Sequence, residues 1–184
     1  MTASALAACT SAPIESPIEN IMTRTSIRKF TSEPVADASL ETILKAGMAA
    51  PTAMNTQPWA FVVVTDRQVL DSLDSVHHHA NLKTATAAII VCGNMQKTIE
   101  SVPGFWIQDC SAATENILLA AHALGLGAVW CGVYPNEAVI PGVKQVLDLP
   151  DYITPLNIIA LGHPAENPAP KDKWNPENVH YQKW

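Results

Sequence analysis

Basic residues are scarce in this chain. Eleven Lys plus Arg stand against 17 Asp plus Glu, for a net charge of −6. Nucleic-acid and anionic-membrane surfaces need a broad basic footprint, so no nucleic-acid partner is expected. The 4 cysteines, Cys9, Cys92, Cys110 and Cys131, form no C-x-x-C pair and no disulfide-rich spacing. Cys92 and Cys110 lie in apolar segments, where a free cysteine behaves as a small hydrophobe. Unpaired thiols are the expectation. No stretch reaches the roughly 18 consecutive apolar residues of a membrane helix, so no integral membrane segment is expected. Also missing are G-x-S-x-G, a Walker loop and the G-x-G-x-x-G dinucleotide fingerprint. Three adjacent imidazoles, His77 to His79, invite a metal. Neighbouring side chains diverge, however, and zinc sites combine separated ligands, so they read as a surface loop and no metal is assigned.

What is present is a chain of 184 residues, 48% of them hydrophobic, enough to bury a real core. Residues 17–184 read as a single unit that alternates helices and strands, an α+β pattern. Pro17 to Met22 is a short helix. Asp37 to Ala49 is a second, capped by Ser39, with Leu40, Ile43, Leu44 and Gly47 or Met48 on its apolar face. Trp59 to Thr65 and Ala87 to Gly93 are rich in β-branched and apolar residues and read as strands, with a helix from Asp66 to Val76 between them. The longest helix spans Phe105 to Leu124 and is apolar over much of its circumference. A helix apolar on several faces must be buried on several faces, which points to cover from a second subunit. Gly125-Leu-Gly127 stops it. A strand at Ala128–Val133, a helix at Asn136–Leu147 and a strand at Leu156–Gly162 follow. From Asn167 the chain is polar and proline-rich, yet it carries Val179, Tyr181 and Trp184, so this arm is expected to dock.

Two stretches carry the chemistry. In extended backbone, alternate side chains share a face, so Arg24, Ser26 and Arg28 point one way and Thr25 and Ile27 the other. Two guanidinium forks and a hydroxyl suit a phosphate, because charge-assisted bidentate bonds are short and directional. Between Pro51 and Pro58, residues Thr52, Asn55, Thr56 and Gln57 offer donors and acceptors to a flat heteroaromatic ring. A phosphate clamp beside a ring-reading loop points to a mononucleotide.

The same residues carry a family resemblance. Arg24-x-Ser-x-Arg-x-Phe30 and Ala50-Pro-Thr-Ala-Met-Asn-Thr-Gln-Pro-Trp59 resemble the start of the nitroreductase family of FMN flavoproteins. Asp109 to Ala121 resembles its long central helix, Gly125 to Gly132 its second flavin loop, and Gly162-His-Pro164 with Lys171-Asp-Lys173 its last strand end and basic arm. Five collinear motifs, from about residue 18 to the C-terminus, are far more specific than one. The resemblance implies a mixed sheet flanked by helices, and an intertwined homodimer with exchanged C-terminal arms. It implies FMN as cofactor and NAD(P)H as transient reductant. A small electron-poor acceptor such as a nitroaromatic or quinone would then be reduced by a ping-pong mechanism. Flavin N5 would carry the chemistry, so no catalytic side chain is named. Cofactor contacts are implied for Arg24, Thr25, Ser26, Arg28, Pro51, Thr52, Ala53, Asn55, Gln57, Asn81, Trp130, Cys131, Gly132, Lys171 and Lys173. Serine is common in the family where Ala53 stands, so that site would bond through its backbone. A reductive dehalogenase-like relative and a flavin-binding, redox-sensing lipoprotein remain alternatives.

Residues 1–16 are rich in Ala, Ser, Thr and Pro and read as a loose tail or tether. Leu6-Ala-Ala-Cys9 resembles a bacterial lipoprotein cleavage box, but no Lys or Arg precedes it. Either it ends a longer signal peptide, placing the protein at the cell envelope, or the match is accidental and the address is the cytoplasm.

Overall fold

A computed structural model of the chain describes residues 16–184. The Leu6–Cys9 box and the rest of the expected tail through residue 15 lie outside the described residues. Among the described residues five α-helices are seen: α1 Pro17–Thr23, α2 Asp37–Met48, α3 Arg67–Val76, α4 Phe105–Ala123 and α5 Ile140–Val146. The strands are β1 Trp59–Val64, β2 Ala87–Asn94, β3 Gly127–Gly132 and β4 Ile153–Gly162. They form one sheet in the order β1-β2-β4-β3. All three pairings are antiparallel, which leaves β1 and β3 as the edges.

The central strands explain the layering. β2 and β4 are apolar on both faces, the pattern of strands covered on both sides. Ala88, Ile90 and Cys92 of β2 join Ile158 and Ala160 of β4 in a core closed by Leu70 and Leu73 of α3 and Val143 of α5. Their neighbours Ala87, Ile89, Val91, Ile159 and Leu161 face the other way, against Ile43 of α2 and Cys110, Ile117 and Ala121 of α4. The result is a sheet with helices on both faces, the α+β architecture expected.

Helix α4 is covered in part by its own chain, with Ile107, Leu119 and Ala120 left half-buried. The sheet takes one side and α2 another. The Asn116 amide donates to Ala46 O at 3.0 Å, and the Asn20 amide of α1 to Leu119 O at 3.0 Å.

Boundaries differ where local chemistry was misjudged. β4 extends back to Ile153 past Pro155, whose missing N–H is accommodated where the β2–β4 register shifts between Val91 and Cys92. α5 begins at Ile140, since Asn136 instead caps a turn with its side chain accepting from Ala138 N at 3.1 Å. Helix α2 starts ahead of Ser39, on Ala36 with no side-chain cap, and Asp37 in its first turn complements the helix dipole.

The C-terminal arm does not dock on its own chain. Every residue from 167 to 184 is exposed, and Trp184 completely so.

Candidate functional site

The Arg24–Arg28 segment is held on the sheet by backbone. Ile27 N donates to Ala128 O of β3 at 3.0 Å, burying Ile27 and leaving Arg28 exposed. This contact needs Gly127: a Cβ there would meet Ile27 Cγ2 at 2.6 Å. Beyond it, residues 29–31 run antiparallel to 163–165. Thr31 N donates to His163 O and Ala165 N to Lys29 O, both at 2.9 Å. The Glu166 carboxylate then accepts from the backbone N–H of Arg28 at 2.6 Å and of Lys29 at 3.2 Å.

The expected trio divides. Arg28 lines a cavity of about 250 Å³ with Lys29, Asp74, His78, Asn81, Lys83 and Thr84. Arg24 lies outside it, its Nε 3.6 Å from Glu115 of α4. Thr25 and Ser26 are half-buried beside it and do not line the cavity. Three permanent cations therefore share the cavity with one carboxylate, Asp74, whose Oδ1 already accepts from Leu82 N at 3.1 Å. Lys83 was missed in the sequence. Its place two residues after Asn81 was the available signal.

Asn81 adopts φ 59°, a left-handed conformation for which Asn is well suited. Its amide reaches His79 O at 2.7 Å and Cys131 Sγ at 3.5 Å. The Cys131 thiol donates to Ala80 O at 3.3 Å. Burial pushes this thiol up from its ordinary value, against smaller opposing pulls from the Asn81 amide and Arg28. Cys131 is thus a packing residue, as are Cys92 and Cys110, both pushed up to about 12 mainly by burial. Each of these three is a free thiol.

By strand alternation Trp130 and Gly132 lie on the opposite face of β3 from Cys131. Trp130 is half-open at this edge, 37% exposed, so it is a surface wall rather than core. A Cβ on Gly132 would meet no atom within 4 Å.

The histidine run is not a surface loop throughout. His77 is buried, and its ring Nε2 lies 2.9 Å from Gly132 O. Burial lowers its pKa, with the Gly132 bond opposing, so the neutral ring donates its Nε2–H to that carbonyl. His78 and His79 are exposed, and no group of three or more metal-ligating side chains occurs among the described residues.

The second predicted stretch sits elsewhere. Residues Ala53–Asn55 form a 3-10 turn. Met54, Asn55 and Gln57 all have positive φ, at 51°, 56° and 48°. Such strain persists only where the surroundings over-determine it. Thr52 Oγ1 accepts from Gln57 N at 3.2 Å, and the Gln57 amide donates to Asn55 Oδ1 at 3.1 Å. Buried Asp109 of α4, overlooked as a site residue, accepts from Ala53 N at 2.9 Å. Pro51 is exposed at the head of the loop. The loop leads into β1, and the cavity sits beside β3. These are opposite edges, three strand spacings or roughly 14 Å apart across the sheet. Within one chain, the structure does not bring loop and clamp together. Nor does it bring Lys171 or Lys173 to the clamp; both are exposed on the arm, and neither lines the cavity.

A model described as the Nitroreductase family matches residues 21–93 and 77–163. The chain is 46% identical over 168 residues to a Methanothermobacter thermautotrophicus protein provisionally named NADH dehydrogenase/NAD(P)H nitroreductase, covering 91% of this chain and 87% of that one. A Desulfovibrio desulfuricans structure, provisionally a nitroreductase and solved in complex with FMN, is 34% identical with a TM-score of 0.81, over 92% of this chain and 99% of that one. The NADPH:FMN oxidoreductase of Vibrio harveyi, complexed with NAD+, is 29% identical with a TM-score of 0.81, over 91% and 77%. These relatives mark a chain of the flavin-oxidoreductase type. It belongs to the nitroreductase family.

Proposed function

We propose that residues 17–184 form one FMN-binding unit of an FMN-dependent oxidoreductase that takes reducing equivalents from NAD(P)H. The observation that carries this is the cavity at the β3 edge, where Arg28, Lys29 and Lys83 stand with a single carboxylate that is already engaged. That donor set fits an anionic, hydrogen-bonding cofactor. The open side of Gly132 fits a flat group passing close to backbone. When bound, FMN supplies hydride acceptance from NAD(P)H and onward transfer to an electron-poor acceptor, a nitroaromatic or quinone, in ping-pong order.

The chain's own residues bind and orient. Arg28 holds phosphate oxygens from the cavity, and Arg24, Thr25 and Ser26, on the same segment but outside it, take the remaining phosphate and ribityl oxygens. Asn81, Trp130, Cys131 and Gly132 form the β3 side, where Cys131 fixes the Asn81 amide and Trp130 shields one side from water. Cations at this edge also stabilise negative charge that develops on reduction. His77 holds the Gly132 carbonyl through its ring Nε2 at 2.9 Å.

The 51–57 loop and the lysines of the arm complete the site from a second copy. Pro51, Thr52, Ala53, Asn55 and Gln57 read the ring, and Lys171 and Lys173 add charge near the phosphate. This homodimer, with arms exchanged, is supported by the separation of loop and clamp and by the bare arm of the single chain.

The test is direct. Purified protein should carry or take up stoichiometric FMN, identified by absorbance and mass, and the bound flavin should bleach on anaerobic addition of NADH or NADPH. Protein that stays colourless with added FMN, or flavin that neither nicotinamide reduces, refutes the reading.

A further inference from the structure

We propose that Glu166 is a positioning residue for the cofactor clamp, a side-chain latch that sets the backbone from which Arg28 projects. The proposal rests on the clamp being the FMN phosphate site. Its basis is local geometry. Residues 29–31 and 163–165 are joined by the Thr31–His163 and Lys29–Ala165 backbone bonds and the Phe30–Pro164 bridge. In a regular antiparallel pair, Lys29 N would next donate to a backbone carbonyl. Here the Glu166 carboxylate takes that place, and the same oxygen also takes Arg28 N.

Two consecutive N–H groups thus converge on one anionic acceptor. Hydrogen bonds to charged acceptors are the stronger kind, and two of them on adjacent residues fix the peptide plane between Arg28 and Lys29. Both of those side chains line the cavity. Glu166 is also the last residue before the wholly exposed 167–184 arm. It marks the point where the chain stops following the sheet, and it anchors the arm's root to the clamp.

A carboxylate beside a phosphate site is unexpected on charge alone, and that gives the proposal a definite sign. If Glu166 acted mainly through its charge, it would repel the phosphate, and neutralising it would tighten FMN. As a latch, it acts through its acceptor oxygen, and Glu166→Gln retains an acceptor while removing the charge.

The experiment uses the full chain as wild type, Glu166→Gln and Glu166→Ala, each checked for folding by circular dichroism. Backbone amide exchange over residues 24–30 is measured without added flavin, and FMN affinity by quenching of flavin fluorescence. Glu166→Ala should speed exchange at Arg28 and Lys29 at least tenfold and weaken FMN about tenfold, with Glu166→Gln restoring most of both. If Glu166→Ala does not fold, Glu166→Asp replaces it, and its shorter side chain should give the same two losses. Unchanged exchange in the shortened variants, Glu166→Gln failing as badly as Glu166→Ala, or tighter FMN in any variant overturns the latch. The exchange arm needs no flavin, so it judges the latch by itself. Wild-type protein that takes up no FMN would instead overturn the site reading on which the proposal's functional half depends.

Discussion

Asp109→Ala should loosen the 51–57 loop without disturbing the sheet. The Ala53 N–H to Asp109 Oδ1 bond is 2.9 Å long and its acceptor is buried. A hydrogen bond to a charged group contributes roughly 1.5–3 kcal/mol net. Opposing this, the loop holds Met54, Asn55 and Gln57 in left-handed backbone, which costs on the order of 1 kcal/mol each. Releasing the anchor lets part of that strain relax, so the net loss is about 1–2 kcal/mol. For a chain of this size, 1 kcal/mol moves the midpoint by about 2–4 °C, so Tm should fall by about 2–8 °C. Asp109→Asn keeps an acceptor oxygen and should lose less than half as much. Thermal unfolding at fixed protein concentration gives the first number, and amide exchange at residues 52–57 locates the effect. If Asp109→Ala leaves Tm within 1 °C and the loop protected, the anchor argument is wrong. If it melts the molecule while the loop keeps wild-type protection until global unfolding, Asp109 is a core residue and the assignment of its role fails.

Other perturbations address the clamp. Gly127→Ala would drive its Cβ into Ile27. Overpacking of this kind costs about 1–3 kcal/mol, so urea unfolding should shift by that amount and FMN affinity should fall with it; normal FMN affinity would detach Ile27 from the clamp. Arg28→Glu puts like charges together in the 250 Å³ cavity and should abolish FMN retention through dialysis, whereas full retention would remove Arg28 from the site. Burial, with Arg24 adding for His122, holds the His77 and His122 imidazoles below their ordinary value. The unfolded chain, with pKa near about 6.5, therefore takes up these protons first as pH falls. Their stabilisation is complete above about pH 6.5 and is lost as pH drops through the lower folded values. Tm should accordingly decline between pH 7.5 and 5, less steeply in His77→Gln, and a decline of equal slope would clear His77 of the effect.

Much of this fold was legible because hydrophobic pattern and packing agreed. The β2 run Ala-Ala-Ile-Ile-Val-Cys has no polar face, so only a doubly covered strand suits it, and the structure buries it completely. Helix α4 was placed almost to the residue. Pattern reports that a face is buried, not which element covers it, and within the chain α2 and the sheet cover part of it. The site was harder to read. Arg28 was found by type and spacing and Asn81 through the family resemblance, and they do share a cavity. Glu166 and Asp109 were missed, because a carboxylate that accepts from a distant backbone N–H leaves no periodic trace. His77 was misread for the same reason: three identical letters hide one ring turned inward to Gly132 and two turned to solvent.

The separation of loop and clamp on the two sheet edges has a consequence for the proposed cofactor site. Arg28 and Asn81 stand at the β3 edge, whereas Ala53 is pinned beneath α4 on the approach to β1. Within a single chain the two groups stand on opposite edges of the sheet. If a second copy supplies the other, FMN binds the dimer better than the monomer, and by linkage FMN must favour the dimer to the same degree. Dilution at constant free FMN should then lower flavin occupancy in step with the dimer fraction. Sedimentation velocity read at the flavin absorbance band, beside fluorescence titration across protein concentration, measures both. Asp109→Ala, which disturbs only the loop half, should weaken FMN in the dimer and leave the weak affinity of the monomer unchanged. A monomer that binds FMN as tightly as the dimer would mean that one edge suffices, and the second copy would have no part in the site.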